Sequence, residues 1–330
     1  MKLPHRRQFL HLAAGAAALP AITRIARAQA YPSKPITFIV PYAAGGPLDT
    51  ITRTLLERMR EPLAQPLIVE NVAGAGGSIG TGRAVRAAPD GYTVAMGNWG
   101  SHVANGALYS LQYDVLTDFE PVALLPFESI MLVAKKSMPA QNLREFISWL
   151  KANPDKAAMG TSGVAGPSHV AGLLLQRETG TRFQLVPYRG AGPALQDLVA
   201  GQIDFSISGP SIALPQIRAG TIKVYAIASK TRPAAAPDIP TTDEAGLPGY
   251  YFGVWQGIWV PKGTPKDIIA KLNAAARHAL ADPTVRQRFA DLALEIPPPD
   301  QQTSEAFGVF HKAEIEKWWP IIKAANIKAD

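Results

Sequence analysis

The chain of 330 residues contains no cysteine. That excludes thiol catalysis, cysteine-ligated metals and disulfides, so the fold rests on its core alone. Beyond the first thirty residues no apolar run approaches the ~20 residues that a membrane helix needs. The six histidines are scattered, with no H-x-H or H-E-x-x-H spacing, so no metal site is expected. Basic runs and aromatic–basic interleaving are also missing, which argues against nucleic acid. No pair of carboxylates is spaced for acid–base work.

The chain begins with an address label. Residues 1–30 have a basic start, an apolar run from Phe9 to Leu19, and small residues at Ala26, Ala28 and Ala30. This is the plan of an export signal with an A-x-A site, expected to be cut after Ala30. Arg6-Arg7-Gln8-Phe9-Leu10 resembles a twin-arginine element, while His5 and His11 depart from its usual flanks; ordinary Sec export is the alternative. The segment holds Lys2, Arg6, Arg7, Arg24 and Arg27 and no acid. Without it, 33 basic residues fall to 28 against 26 acidic ones, and the net charge of +7 falls to +2.

The remaining 300 residues exceed what one hydrophobic core comfortably supports, which predicts two domains. Short apolar strands such as ITFIVPY (Ile36–Tyr42), PLIVENV, YTVAMG, FQLVPY and IKVYAIAS alternate with amphipathic helices. After the first strand, Ile51, Leu55, Met59 and Leu63 recur every four residues; Leu143, Phe146, Ile147 and Leu150 share another face. This alternation predicts an α/β fold with largely parallel sheets. The stretches Pro121–Lys136 and Tyr250–Gly263 read as crossings between domains or, equally, as long core strands. Trp318-Trp319, Phe307 and Phe310 read as core.

Four glycine-rich junctions stand where a strand ends and a helix begins. They are Tyr42-Ala43-Ala44-Gly45-Gly46 with Asp49 beyond, Gly74-Ala75-Gly76-Gly77-Ser78, Gly160–His169, and Tyr188-Arg189-Gly190 running on to Pro193. Open α/β sheets bind ligands at this edge. Glycine lets a ligand approach the backbone, and a helix start offers free N–H donors with a partial positive charge. Four or five charge-assisted bonds at ~1.5–3 kcal/mol each reach the ~8 kcal/mol of micromolar affinity after binding costs, without an arginine clamp. Asp49 reads first as a cap of its own helix. Among the histidines, His169 alone lies inside a junction. Gly76-Gly77-Ser78-Ile79-Gly80 matches G-x-S-x-G, but five residues separate Ser78 from its strand and no histidine is tied to it. A serine hydrolase is therefore the weaker reading. The same stretch is one residue too long for a dinucleotide fingerprint.

The motifs YPSKPITFIVPYAAGGPLDTITRTL, VENVAGAGGSIGTGRAVRAAPDGYT, YRGAGPALQDLVAGQIDF and WVPKGTPKDIIAKLN, in this order, resemble the substrate-binding proteins of tripartite tricarboxylate transporters, the Bug or TctC-like family. The resemblance implies a periplasmic, type II binding-protein fold whose two α/β lobes, joined by a two-strand hinge, close over a small organic carboxylate. The expected division is lobe I at 31–131 plus 256–330 and lobe II at 132–255. It also implies delivery to membrane permease subunits, no metal and no catalysis; a monomer without cofactor is expected. A sensing receptor for a signalling partner is the alternative within the same fold. Carried over residue by residue, the site comprises Tyr42–Gly46 with Asp49, Gly74–Ser78, Thr161, Ser162, Ser168, His169, Tyr188, Arg189, Gly190 and Asp204. Asn98 is a further candidate, and Trp99, at the end of the third strand, joins Tyr42 as an expected aromatic wall. Ala44 stands where the family has proline. Ala165-Gly166 replaces Gly-Ser, so Ser162 or Ser168 is expected to supply the missing hydroxyl.

Overall fold

The computed structural model describes residues 31–164 and 166–324. The expected export signal lies outside the described residues, as does Ala165. The first sheet contains β1 (Ile36–Val40), β2 (Leu67–Asn71), β3 (Thr93–Asn98) and β4 (Phe119–Ser129). The second contains β5 (Met131–Lys135), β6 (Ala158–Thr161), β7 (Gln184–Pro187), β8 (Phe205–Ser208) and β9 (Ile222–Ile227). The last strand, β10 (Gly253–Pro261), returns to the first sheet, giving orders β2-β1-β3-β10-β4 and β7-β6-β8-β5-β9. Each sheet holds three parallel strands flanked by an antiparallel one, β10 in the first and β5 in the second. The two α/β lobes therefore repeat one plan.

In chain order the helices are α1 (Pro47–Leu63), α2 (Ser78–Val85), α3 (Asn105–Leu108), α4 (Leu143–Ala152) and α5 (Pro167–Thr179). They continue as α6 (Ala191–Val199), α7 (Pro210–Arg218), α8 (Lys266–Ala281), α9 (Pro283–Asp291) and α10 (Ser304–Ala324). Among the described residues none is long and apolar enough to cross a membrane. α1 begins where Gly46 supplies an extended cap and Pro47 presets the first turn. Its Ile51, Leu55, Met59 and Leu63 are all buried, the four-residue spacing laying one apolar stripe against the first sheet. In the second lobe Phe146 and Phe183 meet Phe205 edge-on, with centroids 5.0 and 4.9 Å apart.

The chain changes sheet at Ile130, the single residue between β4 and β5. Its N–H donates to Phe252 O at 3.1 Å, and its carbonyl accepts from Ala228 N–H at 2.8 Å. Phe252 N–H in turn donates to Ala228 O at 3.2 Å. Outgoing and returning segments are thus tied side by side between the sheets. Beside them Trp99, 1 % exposed, packs edge-on against Phe252 and Trp318, both at 5.1 Å.

Candidate functional site

The carboxyl ends of the parallel strands in the two lobes face one another, and the glycine-rich junctions grow from those ends. They enclose two adjoining cavities that share Tyr42 and Ser162. The inner one holds about 530 Å³ of empty space, part of it open to solvent, and reaches Asn98, Glu128, Ser168 and Gln256. The outer one holds about 630 Å³, measured the same way, between Gly74–Gly77 and Tyr109 on one side and Ser162–Val164 and Pro187–Arg189 on the other.

The lobes touch across this space. Ala43 N–H donates to Arg189 O at 3.1 Å, and the Tyr109 hydroxyl donates to Val164 O at 2.7 Å. Glycines sit where the backbones meet. A Cβ on Gly76 would lie 2.7 Å from Val164 O, and one on Gly192 would lie 3.1 Å from the Gly45 carbonyl carbon. Any side chain there would hold the lobes apart.

In the first lobe, Tyr42 is 7 % exposed and its hydroxyl donates to Asn98 Oδ1 at 3.0 Å, with Gly76 O at 3.2 Å as the other acceptor. Burial pushes its phenol far above the usual range, so it is a neutral donor. Ser101 N–H also donates to Asn98 Oδ1, at 3.1 Å. Asp49 holds the first loop: it accepts Gly45 N–H at 2.9 Å, Arg53 Nε at 3.0 Å and Asn71 Nδ2 at 3.0 Å. Burial works to raise its carboxyl, but these hydrogen bonds, together with the Arg53 charge, hold it below the ordinary carboxylate value. Ala44 and Gly45 are exposed at the loop tip, while Gly46 reaches the inner cavity. Not every junction amide is free. Gly77 N–H is bound to Gly74 O, Gly166 N–H to Gly163 O, and Ser162 N–H to Ser168 Oγ at 2.7 Å. Among the described residues no acceptor is found for the amides of Gly46, Gly74 and Gly163, all of which line the cavities.

In the second lobe, Ser168 Oγ donates to Ser162 Oγ at 2.9 Å, which leaves the Ser162 hydroxyl proton for another acceptor. Both serines line the inner cavity, the place the sequence assigns them. Thr161 is fully buried beneath the loop. Tyr188 donates to Asp197 Oδ2 at 2.7 Å, and Arg189 lies exposed at the mouth of the outer cavity. Gly190 packs against Ala43. His169 is half-buried with Nδ1 unpartnered among the described residues, and burial lowers its basicity; it lines neither cavity.

Other expected site residues, Ser78 among them, also line neither cavity, and two lie well away from the cleft. Asp204 precedes β8 at the opposite edge of its sheet, where it accepts Ala158 N–H at 2.7 Å and pairs with Lys135 at 2.7 Å. It secures the amino ends of strands whose carboxyl ends form the cleft. Trp99 belongs to the core between the lobes and lines neither cavity, so the aromatic wall reduces to Tyr42.

A family model described as "Tripartite tricarboxylate transporter family receptor" matches residues 51–327. The chain belongs to this family. The structure of MatC (Rpa3494) from Rhodopseudomonas palustris with bound malate superposes with a TM-score of 0.85 at 40 % identity, covering 88 % of this chain and all of that one. The periplasmic binding protein BugD superposes at 0.86 with 35 % identity over 90 % of this chain and 99 % of its own. R. palustris Rpa4515 with adipate gives 0.86 at 28 % identity over 90 % and 99 %. The family and these neighbours are solute-binding receptors rather than enzymes.

The serines of this receptor fit that reading. Ser78 opens α2, and its carbonyl accepts from Tyr113; among the described residues no histidine bonds its hydroxyl. Ser101 Oγ does meet His102 Nδ1 at 2.9 Å, but both residues are 0 % exposed and the His102 ring is stacked on Trp259 at 3.7 Å. No substrate reaches that pair.

Sequence reasoning missed Glu128 and Gln256, which come from the crossing strands β4 and β10. A signal for the first existed: Glu128 is the one charge within PVALLPFESIMLVA, and a charge inside a buried strand is costly unless it serves something. The apolar contributions of Leu48, Ile130, Pro167, Ile207 and Val254 carried no such mark.

Proposed function

We propose that this receptor is exported, captures a small organic carboxylate between its lobes in the periplasm, and presents it to permease subunits of a tripartite transporter. The supporting observation is the set of cavity-lining amides at Gly46, Gly74 and Gly163 that find no acceptor among the described residues, beside the Ser162 hydroxyl proton. Helix starts add partial positive charge at the same edge. The malate and adipate found in two relatives are carboxylates of the size these cavities take. The expected lobe breaks at 131/132 and 255/256 move to the sheet change, since Met131 pairs within the second sheet and Gly253–Trp255 within the first, and the tied segments around Ile130 and Phe252 act as the hinge. Arg189 meets a second carboxylate at the mouth. Calorimetry of the chain from Tyr31 onward, against a panel of mono- and dicarboxylates and sugars, tests this. Micromolar or tighter binding of at least one carboxylate is expected, with none of the sugars. Binding of sugars alone, or of nothing in the panel, would overturn the reading.

A further inference from the structure

Glu128 stands on the inner wall of the cleft with no counter-charge among the described residues. It is 2 % exposed and lines the inner cavity. Its Oε2 accepts the Ser211 hydroxyl at 2.8 Å and, at 3.4 Å, the Ser211 N–H at the start of α7. Among the described residues its Oε1 has no hydrogen-bond partner and no cation pairs with the carboxylate. A Cβ on Gly209 would fall within 2.2–2.4 Å of the carboxylate atoms, so the chain has made room for this group against the helix start. On the next strand Val254 faces Glu128 in register. Gln256, 1 % exposed, also lines the cavity; its amide nitrogen donates to Val254 O at 3.3 Å, and its Oε1 has no partner among the described residues.

The inner cavity is therefore polarised. Gly46 N–H and the Ser162 hydroxyl offer donors, whereas Glu128 and Gln256 offer unmatched acceptors. Among the described residues no Lys, Arg or His lines it. A desolvated carboxylate without a cation is costly, and a partner that brings positive charge removes most of that cost. A second ligand carboxylate placed there would instead meet like charge.

Resting on the carboxylate reading above, we propose that Glu128, assisted by Gln256, receives a protonated amine of the ligand, so that the preferred solute is an amino-carboxylate. Its carboxylate meets the helix-start amides and its ammonium meets Glu128. In the free protein burial raises the Glu128 carboxyl to about 7, with the Ser211 hydrogen bonds pulling the other way. The groups facing it are Ser211 from α7, Val254 and Gln256 from β10, and Tyr42 and Asn98 from the first lobe's loops; of these only the Tyr42 phenol titrates, far above neutrality. An ammonium ligand then needs Glu128 ionised and binds about 30-fold more weakly at pH 5.5 than at pH 8, the ratio set by a group titrating near 7. A carboxylate without an amine shows the reverse trend or none.

The test is calorimetry of wild type and Glu128→Gln at both pH values, with paired probes that differ by one amine: L-aspartate against succinate, and 4-aminobutyrate against butyrate. The amine member should bind at least tenfold tighter to wild type, and more tightly at pH 8. Glu128→Gln should abolish both the preference and the pH trend. The wild-type pH profile stands even if the variant folds poorly. Equal or tighter binding of the amine-free members, or amine binding unaltered in the variant, overturns the assignment of Glu128 while leaving the carboxylate receptor intact. If no probe of either kind binds, both readings fall.

Discussion

Gly100→Ala separates closure of the lobes from folding. Gly100 opens the π-helical turn Gly100–Ala104 after β3 and faces Pro167 at the start of α5 in the other lobe. An added Cβ would lie 2.7 Å from Pro167 Cδ and 3.0 Å from its Cγ. Carbon atoms settle at about 3.5–4.0 Å, and neither the helical turn nor the proline ring can turn aside, so the lobes must part by about 1 Å. That separation stretches the Ala43–Arg189 and Tyr109–Val164 hydrogen bonds across the cleft. At ~0.5–1.5 kcal/mol each, their loss lowers affinity for the closed-state ligand by about 5- to 150-fold. The measurements are calorimetry with the tightest wild-type carboxylate and small-angle scattering with and without it. The variant should bind more weakly and compact less on binding, while its ligand-free melting temperature stays within about 2 °C of wild type, since each lobe's core is untouched. Affinity within twofold of wild type with the same compaction, or a large loss of ligand-free stability, would refute the closure role.

Burial lowers the basicity of His102, His311 and His169, so the folded state keeps them neutral where the unfolded chain takes up protons. Their stabilisation is complete above about pH 6.5 and falls below it, by up to ~1.4 kcal/mol per histidine per pH unit. Glu128 acts oppositely, since its raised value costs stability as pH climbs from 4.5 toward 7. Urea unfolding of Glu128→Gln should therefore show a steeper loss from pH 7.5 to 5.5 than wild type; a variant no less stable at 5.5 would contradict this. Asp49→Asn removes the anion that gathers Gly45, Arg53 and Asn71, and should cost about 2 kcal/mol of stability along with ligand affinity. Unaltered urea midpoints would show that the loop holds itself. Arg189→Ala should weaken dicarboxylates more than monocarboxylates by calorimetry, and equal losses would leave Arg189 as a rim residue only.

Much of the fold was legible because its signals are local. The four-residue spacing of Ile51, Leu55, Met59 and Leu63 is one helix stripe, and all four are buried. The Gly-Pro pairs Gly46-Pro47 and Gly166-Pro167 do begin α1 and α5. Asp49, read as a cap of its helix, makes no cap bond: the N-cap Gly46 has no side-chain partner, and the carboxylate instead gathers Gly45 N–H, Arg53 and Asn71. The site was legible only in outline. Trp99 follows the third strand as expected, yet its ring turns into the core because Phe252 and Trp318, distant in sequence, are waiting there. Asp204 shares a stretch with Tyr188 and Arg189 but sits at the far end of the strands, since a strand carries its two ends to opposite edges.

By itself the sequence determined two α/β units, their helix starts and the glycines between, because periodicity, caps and turn residues act over a few positions. Only the tertiary structure decided which groups share the cleft. Glu128 and Gln256 meet because β4 and β10 pair antiparallel where the chain passes between sheets, and Gly76, Gly192 and Gly100 matter because the other lobe's backbone, or for Gly100 its Pro167 ring, arrives against them. Such contacts are set by how two sheets are placed in space, which no local pattern encodes.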